Sequence, residues 1–131
     1  MKRTCQALAI ALAICAAPGV AHPASLAPRP VLGPVIAQGT ASWYGRQFQG
    51  RMMTIGKPFN MYGLTCASRT LPLGTEIKVT NLANQHCVFL KVTDRGPFVG
   101  HRLLDVSYAA SRALGFLEQG LTRVTIQIVK G

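Results

Sequence analysis

Acidic residues are scarce in this chain: four Asp and Glu stand against 14 Lys and Arg, a formal charge of +10. None precedes Glu76, so Glu76, Asp94, Asp105 and Glu118 make up the whole set. A pair of catalytic carboxylates drawn from the N-terminal half is thereby excluded. Long apolar runs are equally rare. The stretch Ala7–Ala17 is the longest and is too short to span a bilayer, so no transmembrane segment is expected. Basic residues are not interleaved with aromatics, which make up 7% of the chain, and this argues against nucleic-acid binding. No internal repeat or heptad occurs. What is present is an apolar half, 49% of the residues, with only 14% charged. That excludes a disordered polyelectrolyte and leaves material for one small core.

The N-terminus reads as an export signal over residues 1–21. Lys2 and Arg3 precede the apolar run, Pro18 and Gly19 break it, and Gly19-Val20-Ala21 supplies small residues for cleavage. Leu12-Ala13-Ile14-Cys15 approaches a bacterial lipobox, but Ile14 sits where a small residue is wanted. Secretion to the periplasm or cell envelope is therefore the expectation, with lipid anchoring at Cys15 as the lesser alternative. Residues 22–37 hold four prolines and no periodic pattern, which predicts an extended tether. The folded domain is expected over residues 38–131.

Past the signal only Cys66 and Cys87 remain. In an oxidising compartment they are expected to pair, closing a loop whose constraint would stabilise the fold by about 3 kcal/mol. The rival readings are two buried thiols, or half a metal site with His86 and His101. No zinc spacing is matched, and adjacent His86 and Cys87 would face opposite sides of a strand, so no metal and no cofactor are expected.

Period-two alternation dominates the domain. Thr75–Thr80 and His86–Thr93 alternate on either side of an Asn-bearing turn and predict a hairpin, and Thr122–Val129 alternates again. Thr40–Tyr44, Leu64–Ala67 and Leu103–Val106 are further strand candidates. Ser107 as N-cap, helix formers over Tyr108–Leu114 and Gly115 as a stop predict one helix. Many short strands and a helix in so few residues describe a small closed β-barrel.

Asp94-Arg95-Gly96-Pro97-Phe98 follows directly on an apolar strand, placing a carboxylate at a strand exit where catalytic groups often sit. An Asx-type turn capping its own loop is the competing reading. Asp105 leads into the predicted helix, where its carboxylate is expected to accept backbone N–H bonds, a folding role. Glu76 and Glu118 fall at solvated positions. By elimination, Asp94 is the general-acid candidate.

Five segments then occur in order: Gly39-Thr40-Ala41-Ser42-Trp43-Tyr44-Gly45, Thr54-Ile55-Gly56-Lys57-Pro58-Phe59-Asn60-Met61, Arg69-Thr70-Leu71-Pro72-Leu73-Gly74-Thr75, Val79-Thr80-Asn81-Leu82 and Asp94-Arg95-Gly96-Pro97-Phe98. Together they resemble the rare lipoprotein A (RlpA) family of bacterial cell-wall proteins over Gly39–Val129. The resemblance implies a mainly β fold, a six-stranded double-psi β-barrel with one or two short helices, similar also to expansins and barwin proteins. It further implies endolytic lytic transglycosylase activity on peptidoglycan glycan strands. In that reaction the muramoyl–glucosaminyl bond is cleaved without water, leaving a 1,6-anhydro end. The Asp of the last motif is catalytic in the family and falls on Asp94.

Two positions depart from the family pattern. Lys57 stands where an acid is usual, and Ser68 where a histidine is usual. The resemblance leaves a glycan groove lined by Trp43, Tyr44, Lys57, Tyr62, Ser68 and Arg95. Two functions remain open: a transglycosylase, weakened by these departures, or a non-catalytic glycan-binding barrel whose basic charge suits muramic carboxylates. A secreted inhibitor of the barwin kind has only the fold in its favour. Peptidoglycan is the expected partner, and the chain is expected to be a monomer.

Overall fold

The computed structural model describes residues 30–130. Six strands, β1 (Val31–Tyr44), β2 (Thr65–Ala67), β3 (Glu76–Asn81), β4 (Cys87–Asp94), β5 (Leu104–Ser107) and β6 (Leu121–Lys130), close a barrel in the order β1-β5-β2-β4-β3-β6. The remaining elements are one short helix, α1 (Tyr108–Leu114), and a 3-10 turn at Arg46–Phe48. Pairs β1–β5 and β2–β4 are parallel and the other pairs antiparallel. This is the double-psi β-barrel.

The alternating residues do what their period requires. Ile77 and Val79 of β3, Leu90 and Val92 of β4, and Val124 and Ile126 of β6 all point into one buried core. The β3–β4 hairpin sets Ile77 opposite Leu90 and Val79 opposite Val88. Its turn is held by Asn side chains: Asn81 Oδ1 accepts from Ala83 N, and Asn84 Oδ1 from His86 N. Buried Asn81 also donates to Leu114 O and accepts from Thr122 Oγ1, tying the turn to α1 and β6. Helix α1 ends as its sequence predicts. Ser107 Oγ accepts from Ala110 N, and Gly115 adopts a left-handed conformation at φ 77°.

Three expectations are corrected here. First, Cys66 is a free, buried thiol, and Cys87 is not its partner. Cys66 pairs in register with Val92, five residues along β4 from Cys87. At strand rise that separates the two cysteines by about 17 Å, far beyond disulfide reach. Second, the strand begins at Val31, so residues 31–37 belong to β1 and not to a tether. Val31, Val35 and Ile36 are exposed, so this part of β1 is held by pairing with β6 and carries no burial period. Register shifts around Leu32, Val35 and Ala37 bracket Pro34, which has no N–H to give a ladder. Third, Asp105 lies within β5 and does not cap α1, because Ser107 performs that task. The expected export signal, the lipidation site at Cys15 and the first part of the tether lie outside the described residues.

Candidate active site

Strand register gathers the chemistry. Ser42 of β1 pairs with Asp105 of β5, Asp105 with Ala67 of β2, and Ala67 with Asp94 of β4. Paired residues point to the same face, so the four form a row running across four strands. Asp94 and Asp105 flank Ala67, which puts their Cα atoms about 10 Å apart at ordinary strand spacing. Val106, next to Asp105, is buried in the core, so the row lies on the opposite face of the sheet, and the register shift between the Cys66–Val92 and Ala67–Asp94 pairs keeps Asp94 on that face with Ala67.

Asp94 is held by three donors, all on one oxygen. Its Oδ1 accepts from Thr54 Oγ1 at 2.7 Å, Thr54 N at 3.0 Å and Arg95 N at 2.9 Å. Oδ2 carries no hydrogen bond among the described residues. Thr54 reaches Asp94 from a small loop closed by Met53 N to Lys57 O and docked on β4 by Ile55 N to Thr93 O. Gly56 makes that loop possible, its φ of 95° lying where a side chain would be strained. Lys57 is carried on the same loop and is exposed.

Arg95 is engaged by backbone carbonyls. Its Nη1 donates to Ser68 O and Leu71 O, while Arg69 Nη1 donates to Pro97 O. The segments after β2 and β4 are thus laced together at the strand exits. Ser68 is buried, and its Oγ accepts from Thr70 N and Leu71 N. It is a turn-holding residue and does not line a groove.

Asp105 has the opposite environment to Asp94. Half-buried, it accepts one hydrogen bond from Ser42 Oγ at 2.7 Å, and Arg102 Nη1 donates in turn to Ser42 Oγ. Burial raises its carboxyl above the ordinary aspartate value, against the lowering effects of the Ser42 bond and the Arg102 charge.

The aromatic residues divide. Tyr44 is buried against Phe59, with ring centroids 4.5 Å apart, and its hydroxyl has no hydrogen-bond partner among the described residues. Burial, followed by the charges of Asp94 and Asp105, pushes its phenol up strongly. Trp43 is half-buried; its Nε1 donates to Leu117 O and its ring meets Tyr108 edge-on at 5.7 Å. Tyr62 is exposed and meets Tyr108 from the other side at 5.9 Å. Trp43, Tyr108 and Tyr62 therefore form a string beside α1, of which only Tyr62 presents most of its surface. Of the six residues expected to line a groove, Lys57 and Tyr62 are exposed, whereas Tyr44, Ser68 and Arg95 are committed to the fold.

Sequence reasoning missed Thr54, Ser42 and the position of Asp105. The signal for Thr54 was present, since Thr54 opens one of the five ordered segments. Ser42 and Asp105 meet only through parallel pairing of strands 63 residues apart. Among the described residues there is no cluster of three or more His, Cys, Asp and Glu suited to a metal, and no helix long and apolar enough to cross a membrane. A surface cavity of about 280 Å³ lies beside the end of α1, lined by Arg112, Gly115, Leu117, Glu118 and Gln119, apart from the row.

The family model described as lytic transglycolase matches residues 36–126. The chain is 46% identical over 89 residues to the endolytic peptidoglycan transglycosylase RlpA of Pseudomonas aeruginosa, covering 68% of this chain and 26% of that protein. It is 48% identical over 94 residues to the protein of the same name from Neisseria meningitidis, covering 71% and 39%. The chain thus spans well under half the length of these relatives. Among solved structures, it resembles the Streptomyces papain inhibitor, with a TM-score of 0.58 at 21% identity over 74% of this chain and 98% of that one. It also resembles an expansin from Clavibacter michiganensis, with a TM-score of 0.57 at 23% identity over 71% and 50%. These two share the fold. On the family match and the identity to its relatives, the chain belongs to the lytic transglycolase family, as an RlpA-like double-psi β-barrel.

Proposed function

We propose that this domain is an endolytic peptidoglycan lytic transglycosylase that seats a glycan strand across the β1–β5–β2–β4 face. The observation that carries the reading is Asp94, fixed at the barrel surface by Thr54 and Arg95 on one oxygen with the other free of protein donors. Asp105 supplies the second carboxylate of the row. Its burial favours the protonated form, which suits a proton donor to the glycosidic oxygen as the bond to muramic C1 breaks. The muramic 6-hydroxyl then attacks C1, and Asp94 takes its proton, so no water is consumed. Lys57, exposed on the loop that clamps Asp94, offers a positive charge to the lactyl carboxylate of the substrate. An exported, envelope location and action as a monomer accompany this reading.

A second reading is a glycan-binding barrel without catalysis, favoured by the exposed Lys57 at a position where the family pattern carries an acid. Digestion of denuded glycan strands separates the two. Anhydromuramoyl ends formed by the wild type and lost in Asp94→Asn establish the enzyme. Binding without such ends establishes the binder.

A further inference from the structure

Among the described residues the Asp105 carboxyl accepts one hydrogen bond, from a side chain that is itself held by a third. Ser42 Oγ donates to Asp105 Oδ1 at 2.7 Å, and Arg102 Nη1 donates to Ser42 Oγ at 3.2 Å. Chemistry fixes the direction of this chain. A guanidinium carries only donors and stays protonated, so it cannot accept the Ser42 hydrogen. That hydroxyl has one hydrogen, and Asp105 Oδ1 is its acceptor. If a proton on Oδ1 were donated back to Ser42 Oγ, the Ser42 hydrogen would lose its acceptor at a residue only 4% exposed. Of the two oxygens of a protonated carboxyl, the carbonyl oxygen is the better acceptor, so a bond kept on Oδ1 sends the proton to Oδ2. The fold holds the first donor in place from behind. Leu103 N donates to Thr40 O at 2.7 Å, two residues before Ser42 on β1. A Cβ at Gly39 would stand 3.0 Å from Leu103 Cβ, so glycine there lets the segment carrying Arg102 settle against β1. Asp94 shows the same division between its oxygens, with three donors on Oδ1.

We propose that Arg102 and Ser42 are positioning residues that hold Asp105 through a one-way hydrogen-bond chain, so that its proton is carried on Oδ2, the oxygen with no hydrogen bond among the described residues. The proposal rests on the reading of Asp105 as the proton donor of the transglycosylase. It gives Arg102 a task beyond its charge, which is to orient the Ser42 hydroxyl. The charged and titratable groups facing Asp105 are Arg102 from the segment before β5, Tyr44 from β1 and, across Ala67, Asp94 of β4.

The test needs no substrate, so its failure is distinct from failure of the proposed activity. The Asp105 carboxyl signal is followed by carbon-13 NMR through a pH titration and assigned by its loss in Asp105→Asn. Ser42→Ala removes a bond that favours the anion and is expected to raise the Asp105 midpoint by about 0.5–1 pH unit. Ser42→Thr keeps the hydroxyl and should leave the midpoint near the wild-type value. Arg102→Met should raise the midpoint too, but by clearly less in the Ser42→Ala background, because the guanidinium acts through the hydroxyl. In the wild type, the Ser42 Cβ signal should inflect at the Asp105 midpoint, and the inflection should weaken in Arg102→Met. That readout decides the matter even where Ser42→Ala fails to fold. An Asp105 midpoint unmoved by Ser42→Ala, shifts that simply add in the double variant, or a Ser42 signal indifferent to Asp105 overturns the proposal. Where the midpoints move as expected, anhydro-product formation by Ser42→Ala should fall in kcat with KM retained and with a displaced pH profile, and Ser42→Thr should restore it.

Discussion

The two halves of the barrel wall are held by different forces. On the β3–β4–β6 side, alternating Ile, Val and Leu side chains and antiparallel ladders do nearly all the work. On the β1–β5–β2 side, where β4 ends, Ala41, Cys66, Leu104 and Val106 join the same core, but the outer face is bound in addition by polar contacts between distant segments. Thr54 grips Asp94 from 40 residues away, Arg95 grips Ser68 from 27, and Ser42 grips Asp105 from 63. The first region is a scaffold that any set of apolar side chains with the right period could build. The second depends on particular atoms, and it carries the carboxylates. Both walls face the same core, and the polar contacts of the second wall lie on its outer face, where the loops after β2 and β4 are free to serve chemistry.

The scaffold should break first. Ile77 of β3 is fully buried, so Ile77→Ala is expected to cost about 2–5 kcal/mol through lost transfer energy and a cavity. Chemical denaturation with a two-state fit measures it. A loss under 1 kcal/mol would mean that the core on this side is not the main source of stability.

The polar wall should break differently, in activity before stability. Asp94→Asn is expected to lower anhydromuramoyl product on the order of 100-fold, a typical contribution for acid–base catalysis. Thr54 can still donate to the amide oxygen, so the fold should persist. Product chromatography beside a melting curve checks both halves of the statement. Equal loss of folding and activity would erase the distinction between the two regions.

Between these lies the helix cap. Ser107 Oγ both accepts from Ala110 N and donates to Gly63 O, linking α1 to the loop that follows the site. Ser107→Ala is expected to destabilise by about 1 kcal/mol. A shift in melting temperature of a few degrees is the readout.

The difference between the regions also sets how much could be read from the sequence. All six strands and the α1 boundaries were visible, because period two and the Ser107–Gly115 caps are local signals. The first part of β1 was not, since exposed Val31, Val35 and Ile36 bury nothing and Pro34 imitates a tether. Asp94 was legible from its place at a strand exit and from the resemblance. Its clamp, and its proximity to Asp105, were not, because both arise from strand order in a closed barrel. The expected Cys66–Cys87 disulfide failed for the same reason: compartment and loop length say nothing about register.

Lys57 offers a smaller, sharper contrast within the site. It shares its loop with Thr54 but is exposed. Lys57→Glu removes the charge proposed to meet the lactyl carboxylate, and should lower product formation several-fold without altering the melting temperature by more than a degree or two, since surface charges contribute little to stability. Ser68→His, by contrast, should cost folding, because Ser68 Oγ holds the turn at Thr70 and Leu71. Raised product in Lys57→Glu would show that the position works better as the acid the resemblance leads one to expect, and would remove Lys57 from the proposed binding of the lactyl carboxylate.

The smallest effect concerns Asp105 and reverses an expectation. A carboxylate accepting helix-end N–H bonds would be stabilising, and Asp105→Asn would then lower the melting temperature. In β5 its net shift is upward, from burial, so the folded state holds this proton more tightly than the unfolded chain does. Linkage then gives the sign. The wild type is favoured below the unfolded value of 3.8, and that advantage is lost as pH rises from there through the folded value. Asn carries no charge to desolvate, and its amide oxygen can still accept from Ser42 Oγ. Relative to wild type, Asp105→Asn should therefore gain in melting temperature between pH 4 and pH 8, by an amount tempered by the residue's partial exposure and the nearby Arg102. The comparison needs only two melting curves at each pH. A variant that loses ground as pH rises would return Asp105 to the role of a stabilising anion, and with it remove the proton donor from the proposed mechanism.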